Sequence, residues 1–395
     1  MVQLLPTAVA GLAACTVLVA AHPGHDFRAE AAERAAFMKR TPVEKRSLSH
    51  CADKLAARGH TARSIRRREN AVQKLRRDLG LPTSAPLLKA RSFEEALNTS
   101  HHSDFQGEVT QYYNPAYLFS SNATCVLADD TTEGPYYVSG EYVRTNIAED
   151  QGGVPLWVDI QIINANTCEP EPNVFTDLWH CNALGVYSGV QANGNGDGGA
   201  DNLQTTFCRG IQKSDEDGAI QFQTVFPGHY TGRATHIHVL THPADDTTKL
   251  ANGTVSGLYT THSSHIGQIF FDQDLISDVE SVAPYTENTQ ELMPNERDGI
   301  LEQEAADIDP FMEYVLLGDS ISDGVFAWIS MAIDPSTSRE VNTAAYWTKD
   351  GGVANPNAGG GGPGGPGGPG GPGGPGGPGG PSSSAPASTA VPSGL

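Results

Sequence analysis

Basic residues are the scarce charge in this 395-residue sequence: 25 Lys and Arg stand against 46 Asp and Glu, a formal net charge of −21. The shortage is uneven, because 17 of the 25 fall between Arg28 and Arg91, leaving eight after Arg91 to face 39 acidic residues. So acidic a body repels phosphate backbones, and nucleic acid is excluded as its partner. The basic head has an anionic surface or its own acidic body to meet, and the tethered body is the expected one. A second long apolar run is also missing. The one present, LLPTAVAGLAACTVLVAA at the start, ends in small residues and reads as a cleaved secretory signal over residues 1–21 rather than a membrane anchor. The last residues, PSSSAPASTAVPSGL, hold no hydrophobic stretch, so no stable membrane anchor is expected there. Cysteine pairs at zinc spacing are lacking too, which makes the six cysteines structural rather than ligating.

What is present divides the chain. Residues 22–91 form a basic helical segment: the pattern is helical from Phe27 to Gly80, with Gly80 and Pro82 as stop signals. Lys39-Arg40 and Lys45-Arg46 are dibasic pairs, open to processing or to a plain role as helix-surface charge. The segment can therefore be a propeptide, a linker or a homodimer contact. Residues Ala85 to Phe119 read as a weakly structured lead-in. Asn98, Asn122 and Asn252 each begin an N-glycan acceptor pattern, which together with the signal supports a secreted, extracellular glycoprotein. Cys51, Cys125, Cys168, Cys181 and Cys208 remain after signal removal, an odd number; Cys51 is expected to join Cys125, with one body cysteine unpaired.

Within residues 92–350 the texture is short apolar alternations broken by Gly, Pro, Asn and Asp. PLWVDIQIIN, AIQFQTVF, THIHVLTH and HIGQIFF are the clearest strands, and NGNGDGGADN is a polar loop. Many short strands between turn signals predict a mainly β protein, a β-sandwich with the helical segment before it. Residues 351–395 repeat Gly-Gly-Pro, the wrong period for collagen, and read as a disordered tail.

The chemistry concentrates in TVFPGHYTGRATHIHVL, residues 224–240. Side chains two apart on a strand share a face, so His236 and His238 project together, with Tyr230 six residues before His236, across a glycine-containing turn. DLWHCNALGVYSG offers a further donor, Tyr187. Phenolates are hard anionic ligands, and two of them with two imidazoles suit non-haem Fe(III) better than zinc or magnesium.

These segments, with TEGPYYV at 132–138, RGIQKSDEDGAIQFQTVFPGHY at 209–230, RATHIH at 233–238 and GQIFF at 267–271, occur in an order that resembles the intradiol ring-cleavage dioxygenases, specifically their secreted fungal branch. The resemblance implies iron ligands at Tyr187, Tyr230, His236 and His238, with Tyr230 the ligand that leaves when substrate binds. It places Arg233 beside the substrate ring, where a fixed cation stabilises developing negative charge, and Gln268 in the pocket. It implies a small aromatic diol and O2 as partners, opened between the hydroxyls to a cis,cis-muconate-type product. The short Tyr230–His236 spacing removes part of a pocket wall and leaves the diol unspecified. His229, His242, His262 and His265 are expected at the rim or surface, and Tyr136 and Tyr137 at the mouth or in a structural turn. Two rivals stand beside this reading. One is a non-catalytic sandwich that binds cell wall or matrix; the other, a cupin-like metalloenzyme, expects a carboxylate shortly after the histidine pair, where VLTHPA has none.

Overall fold

The computed structural model describes residues 48–84, 119, 124–126, 134–196, 198–243, 245, 247–305 and 309–358. The expected signal, the dibasic pairs, the lead-in, the Asn98 and Asn122 patterns, the side chain of Cys125 and the chain past 358 lie outside these residues.

The strands run in order β1 Thr124–Val126, β2 Val138–Ser139, β3 Pro155–Asn164, β4 Phe175–Trp179, β5 Arg209–Lys213, β6 Ala219–Val225, β7 His236–His242, β8 His262–Ser263 and β9 His265–Phe270. They continue with β10 Glu313–Leu316, β11 Val325–Ile333, β12 Arg339–Glu340, β13 Ala345–Thr348 and β14 Gly351–Ala354. One sheet has the order β1-β11-β3-β6, with β10 also on β11; the other has β5-β4-β7-β9. Period-two alternation explains how they pack. Leu156, Val158, Ile160 and Ile162 of β3 and Ala327, Ile329 and Met331 of β11 share one core with Leu178, Ile237, Val239 and Ile269 from the second sheet. The predicted sandwich and its four clearest strands are borne out. The strand β14 runs past Asp350, where the sequence reading began the tail, because it pairs with β13.

The head is helical where described, in α1 Ala52–Ala57 and α2 His60–Asp78. Gly59 at φ 66° breaks the predicted continuous helix, a left-handed conformation that glycine adopts without steric cost. Along α2 the buried positions are His60, Ser64, Arg68, Val72 and Arg76, a four-residue spacing that sets one face against the outside of the first sheet. There Val72 packs with Val315, Phe326 and Trp328. On the same face Asp159, wholly buried, takes two hydrogen bonds from Arg67 at 2.9 and 2.8 Å and one each from Arg68 at 3.4 Å and Gln221 at 2.9 Å. Basic head meets acidic body, as the charge distribution suggested. The head is also tied covalently, but by Cys51–Cys168, not Cys51–Cys125. The turn after β3 puts Cys168 under the first turn of the head, and the remaining body cysteines, Cys181 and Cys208, are both buried and unbonded.

Removing Asp159 would take from the buried Arg68 guanidinium its hydrogen-bonded carboxylate, leaving it the Phe119 carbonyl at 3.1 Å. Asp159→Ala should therefore lower unfolding free energy by about 3–5 kcal/mol in urea titrations, and a loss under about 1 kcal/mol would refute the role given to this pair. Burial alone would raise the Asp159 pKa, but Arg67, then Arg68 and Gln221, reverse this and hold it below the ordinary value. A depressed carboxyl contributes its full stability above the unfolded pKa and loses it as pH falls through the folded one. The wild-type advantage over Asp159→Asn should accordingly shrink below about pH 4, where the unfolded carboxylate begins to protonate.

Candidate metal centre

Strand β7 has two faces with different work. Ile237 and Val239 point into the sandwich core, so His236 and His238 must point away from it, onto the outer face of the second sheet. That face is covered by loops, and both histidines are buried. Register sets their neighbours: His238 lies opposite Trp179 on β4 and Gln268 on β9. The Trp179 ring stacks on His238 at 4.8 Å and 6° and fixes its plane. His236 Nδ1 is 2.6 Å from the carbonyl of Ala234, which can only accept, so Nδ1 carries the proton and Nε2 the lone pair. His236 Nε2 is 3.1 Å from His238 Nε2 and 3.1 Å from the Tyr230 hydroxyl.

Tyr187 arrives from the connection after β4. Its backbone is clamped by Asn195, which accepts from the Tyr187 N–H at 2.7 Å and donates to the Tyr187 and Val190 carbonyls at 2.8 and 2.9 Å. Just before it, Gly185 has φ 77° and its backbone lies so close to the His229 carbonyl that a Cβ would sit 2.1 Å from that oxygen. Only glycine lets the Tyr187 and Tyr230 loops meet there. The two phenol rings are 5.6 Å apart, and Tyr187 is 6.2 Å from the His238 ring. Arg209 lies 5.9 Å from the Tyr187 ring and donates through Nε to the carbonyl and hydroxyl of Ser188 at 3.0 Å each. Gly134, in the Gly-Pro-Tyr-Tyr turn, presses against His238, with only 3.3 Å between a notional Cβ and Cε1.

Arg233 is buried. Its Nε donates to Asp298 at 2.9 Å and its guanidinium reaches Gln268 Oε1 at 2.5 Å. Asp298 also accepts the Ala234 N–H at 2.8 Å, and its other oxygen accepts from Ile300 and Leu301 at the start of the helix Gly299–Ala305. One carboxylate thus joins a helix start to the turn carrying both the cation and the first histidine.

Burial dominates the titration of these groups. It pushes Tyr187 and Tyr230 well above the ordinary tyrosine pKa, helped by the Cys181 thiol for Tyr187 and by Tyr187 itself for Tyr230, while Arg233 opposes both shifts. It pushes His238 well below the ordinary histidine pKa, with His236 and Arg233 adding to the effect. Among the described residues the buried Tyr187 hydroxyl has no hydrogen-bond partner of good geometry, although it lies near enough to Tyr230 for each to affect the other's titration. Neutral imidazoles with converging nitrogens, and buried phenols that need a strong positive charge to ionise, fit a hard, highly charged metal ion.

All six residues expected at the site, Tyr187, Tyr230, Arg233, His236, His238 and Gln268, come together. The neighbouring histidines do not lie where expected. His229, His242 and His265 are buried: His229 pairs with Glu280 at 2.8 Å, His242 lies 3.7 Å from Asp177, and His265 accepts from the Asp334 N–H at 3.0 Å. Loops enclose His229 and His242, whereas His265 lies on the core side of β9, the side of Ile269, and meets the chain just after β11; only His262 of the four is partly exposed. Tyr136 and Tyr137 are buried as well, packed 4.8 Å from Tyr187 and 5.1 Å from Trp179. Asn195, Arg209 and Asp298 escaped the sequence reading. Asp298 had a faint signal, an acid just before a helix; Asn195 sits in a glycine-rich loop where nothing marks one asparagine from another.

A family profile described as "Dioxygenase" matches residues 132–296. No curated protein matches the chain. Among solved structures, an intradiol ring-cleavage dioxygenase from Tetranychus urticae is 30% identical, covering 57% of this chain and 100% of its own, with a TM-score of 0.42. A hydroxyquinol 1,2-dioxygenase from Pseudomonas putida is 17% identical, covering 52% of this chain and 66% of its own, at TM-score 0.33. Catechol 1,2-dioxygenase from Acinetobacter is 20% identical over 54% of this chain and 62% of its own, at TM-score 0.30. The family match and the 30% identity along the full length of the Tetranychus urticae enzyme agree with the residue pattern: the chain belongs to the intradiol ring-cleavage dioxygenases, which open catechol-type aromatic rings.

Proposed function

We propose that Tyr187, Tyr230, His236 and His238 hold a non-haem ferric ion, and that the protein is a secreted glycoprotein opening catechol, hydroxyquinol or a related ortho-diol between its hydroxyls. Catechol and O2 together supply all the atoms of cis,cis-muconic acid, so no further reductant is needed. The observation carrying this reading is the convergence of the Tyr230 oxygen and two imidazole nitrogens within 3.1 Å contacts, with a second buried phenol alongside. A purely binding sandwich has no use for such a set.

Each residue has a task in this reading. When bound, ferric iron supplies Lewis acidity and withdraws electron density from the diol, which makes the ring itself reactive towards O2. Tyr187, clamped by Asn195 and enclosed by Tyr136 and Arg209, stays as the anchor. Tyr230 lines the cleft, and its phenolate oxygen takes one proton from the incoming diol as it swings away. Arg233, immobilised by Asp298 and Gln268 in a pocket closed to water, stabilises negative charge on the opening ring more than it could in solvent. His236 keeps its orientation through the Ala234 carbonyl, and His238 through Trp179.

Secretion and glycosylation draw support from two further features. The Cys51–Cys168 bond suits an oxidising compartment. Asn252 is exposed on a turn, where its side-chain oxygen accepts from both the N–H and the hydroxyl of Thr254 at 3.1 and 2.9 Å.

The iron-loaded protein should be coloured by tyrosinate-to-iron charge transfer, and the band should shift when catechol is added under argon. Tyr187→Phe should bleach most of the colour and abolish oxygen uptake; full uptake by this variant would remove Tyr187 from the ligand set. Asn195→Ala, which touches no ligand atom, should lower iron affinity or turnover by about 10–100-fold and move the charge-transfer maximum. In protein secreted from eukaryotic cells, intact mass should drop by one glycan on Asn252→Gln, and an identical polypeptide mass would refute glycosylation there.

A further inference from the structure

A cleft of about 530 Å³ opens onto Tyr230. Leu184 and Val186 form an apolar wall, Thr231 and Gln290 contribute polar groups, and Glu287 is the one charged side chain among the described lining residues. The backbone carrying Glu287 is pinned on both sides. On one side Tyr285 is buried, its hydroxyl donating to the Phe226 carbonyl at 2.7 Å and accepting from the Val154 N–H at 3.1 Å. On the other, Asn288 donates to the His229 carbonyl at 2.8 Å, while Gln290 accepts from the Thr231 N–H at 3.2 Å and donates to the Leu184 carbonyl at 3.1 Å. These bonds grip the chain on both sides of Tyr230, so the carboxylate is carried on a fixed turn at the entrance to the reacting group. No Lys or Arg lines this entrance among the described residues, and Arg233 lies buried rather than in the wall.

We infer that Glu287 sets the charge preference of the site: ortho-diols bearing a cationic substituent, such as an alkylammonium side chain, are favoured over those bearing a carboxylate. This rests on the dioxygenase reading given above. A substituent on the ring carbon remote from the two hydroxyls projects back along the cleft when the hydroxyls face Tyr230, which brings it towards Glu287. The carboxylate attracts an ammonium there and repels a second carboxylate, and the body's excess of acidic residues adds to both effects.

The test compares 4-(2-aminoethyl)catechol with 3,4-dihydroxybenzoate on the iron-loaded full-length protein, with catechol alone as the check on activity. At about 10 mM salt, where charges are little screened, Glu287→Gln should lower the ammonium-to-carboxylate ratio of kcat/KM about tenfold, roughly threefold from each substrate. Glu287→Lys should lower it further, and raising the salt to about 0.5 M should shrink the difference between wild type and variants. A ratio that stays within about twofold across wild type, Gln and Lys would overturn the inference. Failure of the wild type to consume oxygen with catechol would instead sink the dioxygenase reading. Calorimetric Kd values for the two substituted diols would then still report whether Glu287 sets the charge preference, with the same ratio of affinities as the criterion.

Discussion

Everything at the centre depends on the two-residue alternation of strand β7, held in register between β4 and β9. Because Ile237 and Val239 are needed in the sandwich core, His236 and His238 have no choice of face. A slip of one residue would drive two imidazoles into an apolar core and turn two aliphatic side chains out of it, so hydrophobic packing itself enforces the direction in which the two imidazoles point. Trp179 and Gln268 are placed by the same register, one to fix a histidine ring and the other to meet Arg233.

The loops on that outer face are held with comparable firmness by single polar side chains. Asn195 holds Tyr187, Asp298 holds Arg233 and the turn before His236, and Asn288 with Gln290 holds the backbone flanking Tyr230. Tyr187 is thus fixed from within the protein, whereas Tyr230 borders the cleft. That asymmetry supports the roles proposed for them, Tyr187 as anchor and Tyr230 as the ligand that leaves. The opposite sheet has a separate arrangement: the basic head closes its outer face through Asp159 and one disulfide, on the other side of the sandwich from the site residues.

Long alternating segments were legible because their pattern is local. PLWVDIQIIN became β3 with the bounds the alternation suggested, and the pairing of basic head with acidic body followed from charge alone. The histidine pair and both tyrosines were legible as donors for the same reason, since a strand's period and the chemistry of phenolate and imidazole are properties of the residues themselves. Tyr187 was legible as a further donor at no fixed spacing from the others, and the resemblance to a known family then implied all four as one ligand set.

Folding decided what depends on residues distant in sequence. Cysteine pairing follows where the turn after β3 ends beneath the head, which is why Cys168 and not Cys125 meets Cys51. Burial of His229 and His242 follows from loops closing over them, and burial of His265 from the first sheet, whose chain just after β11 meets it on the core side of β9. The clamps at Asn195 and Asp298 could not be singled out among many similar polar residues, because a hydrogen bond across a fold has no signature in the segment that supplies it. The sequence by itself determined which atoms could bind a metal and which face of the strand would carry them. Only the tertiary structure decided how they are held, and that the entrance beside Tyr230 carries the charge of Glu287, because those contacts join segments that only the packed sheets bring together.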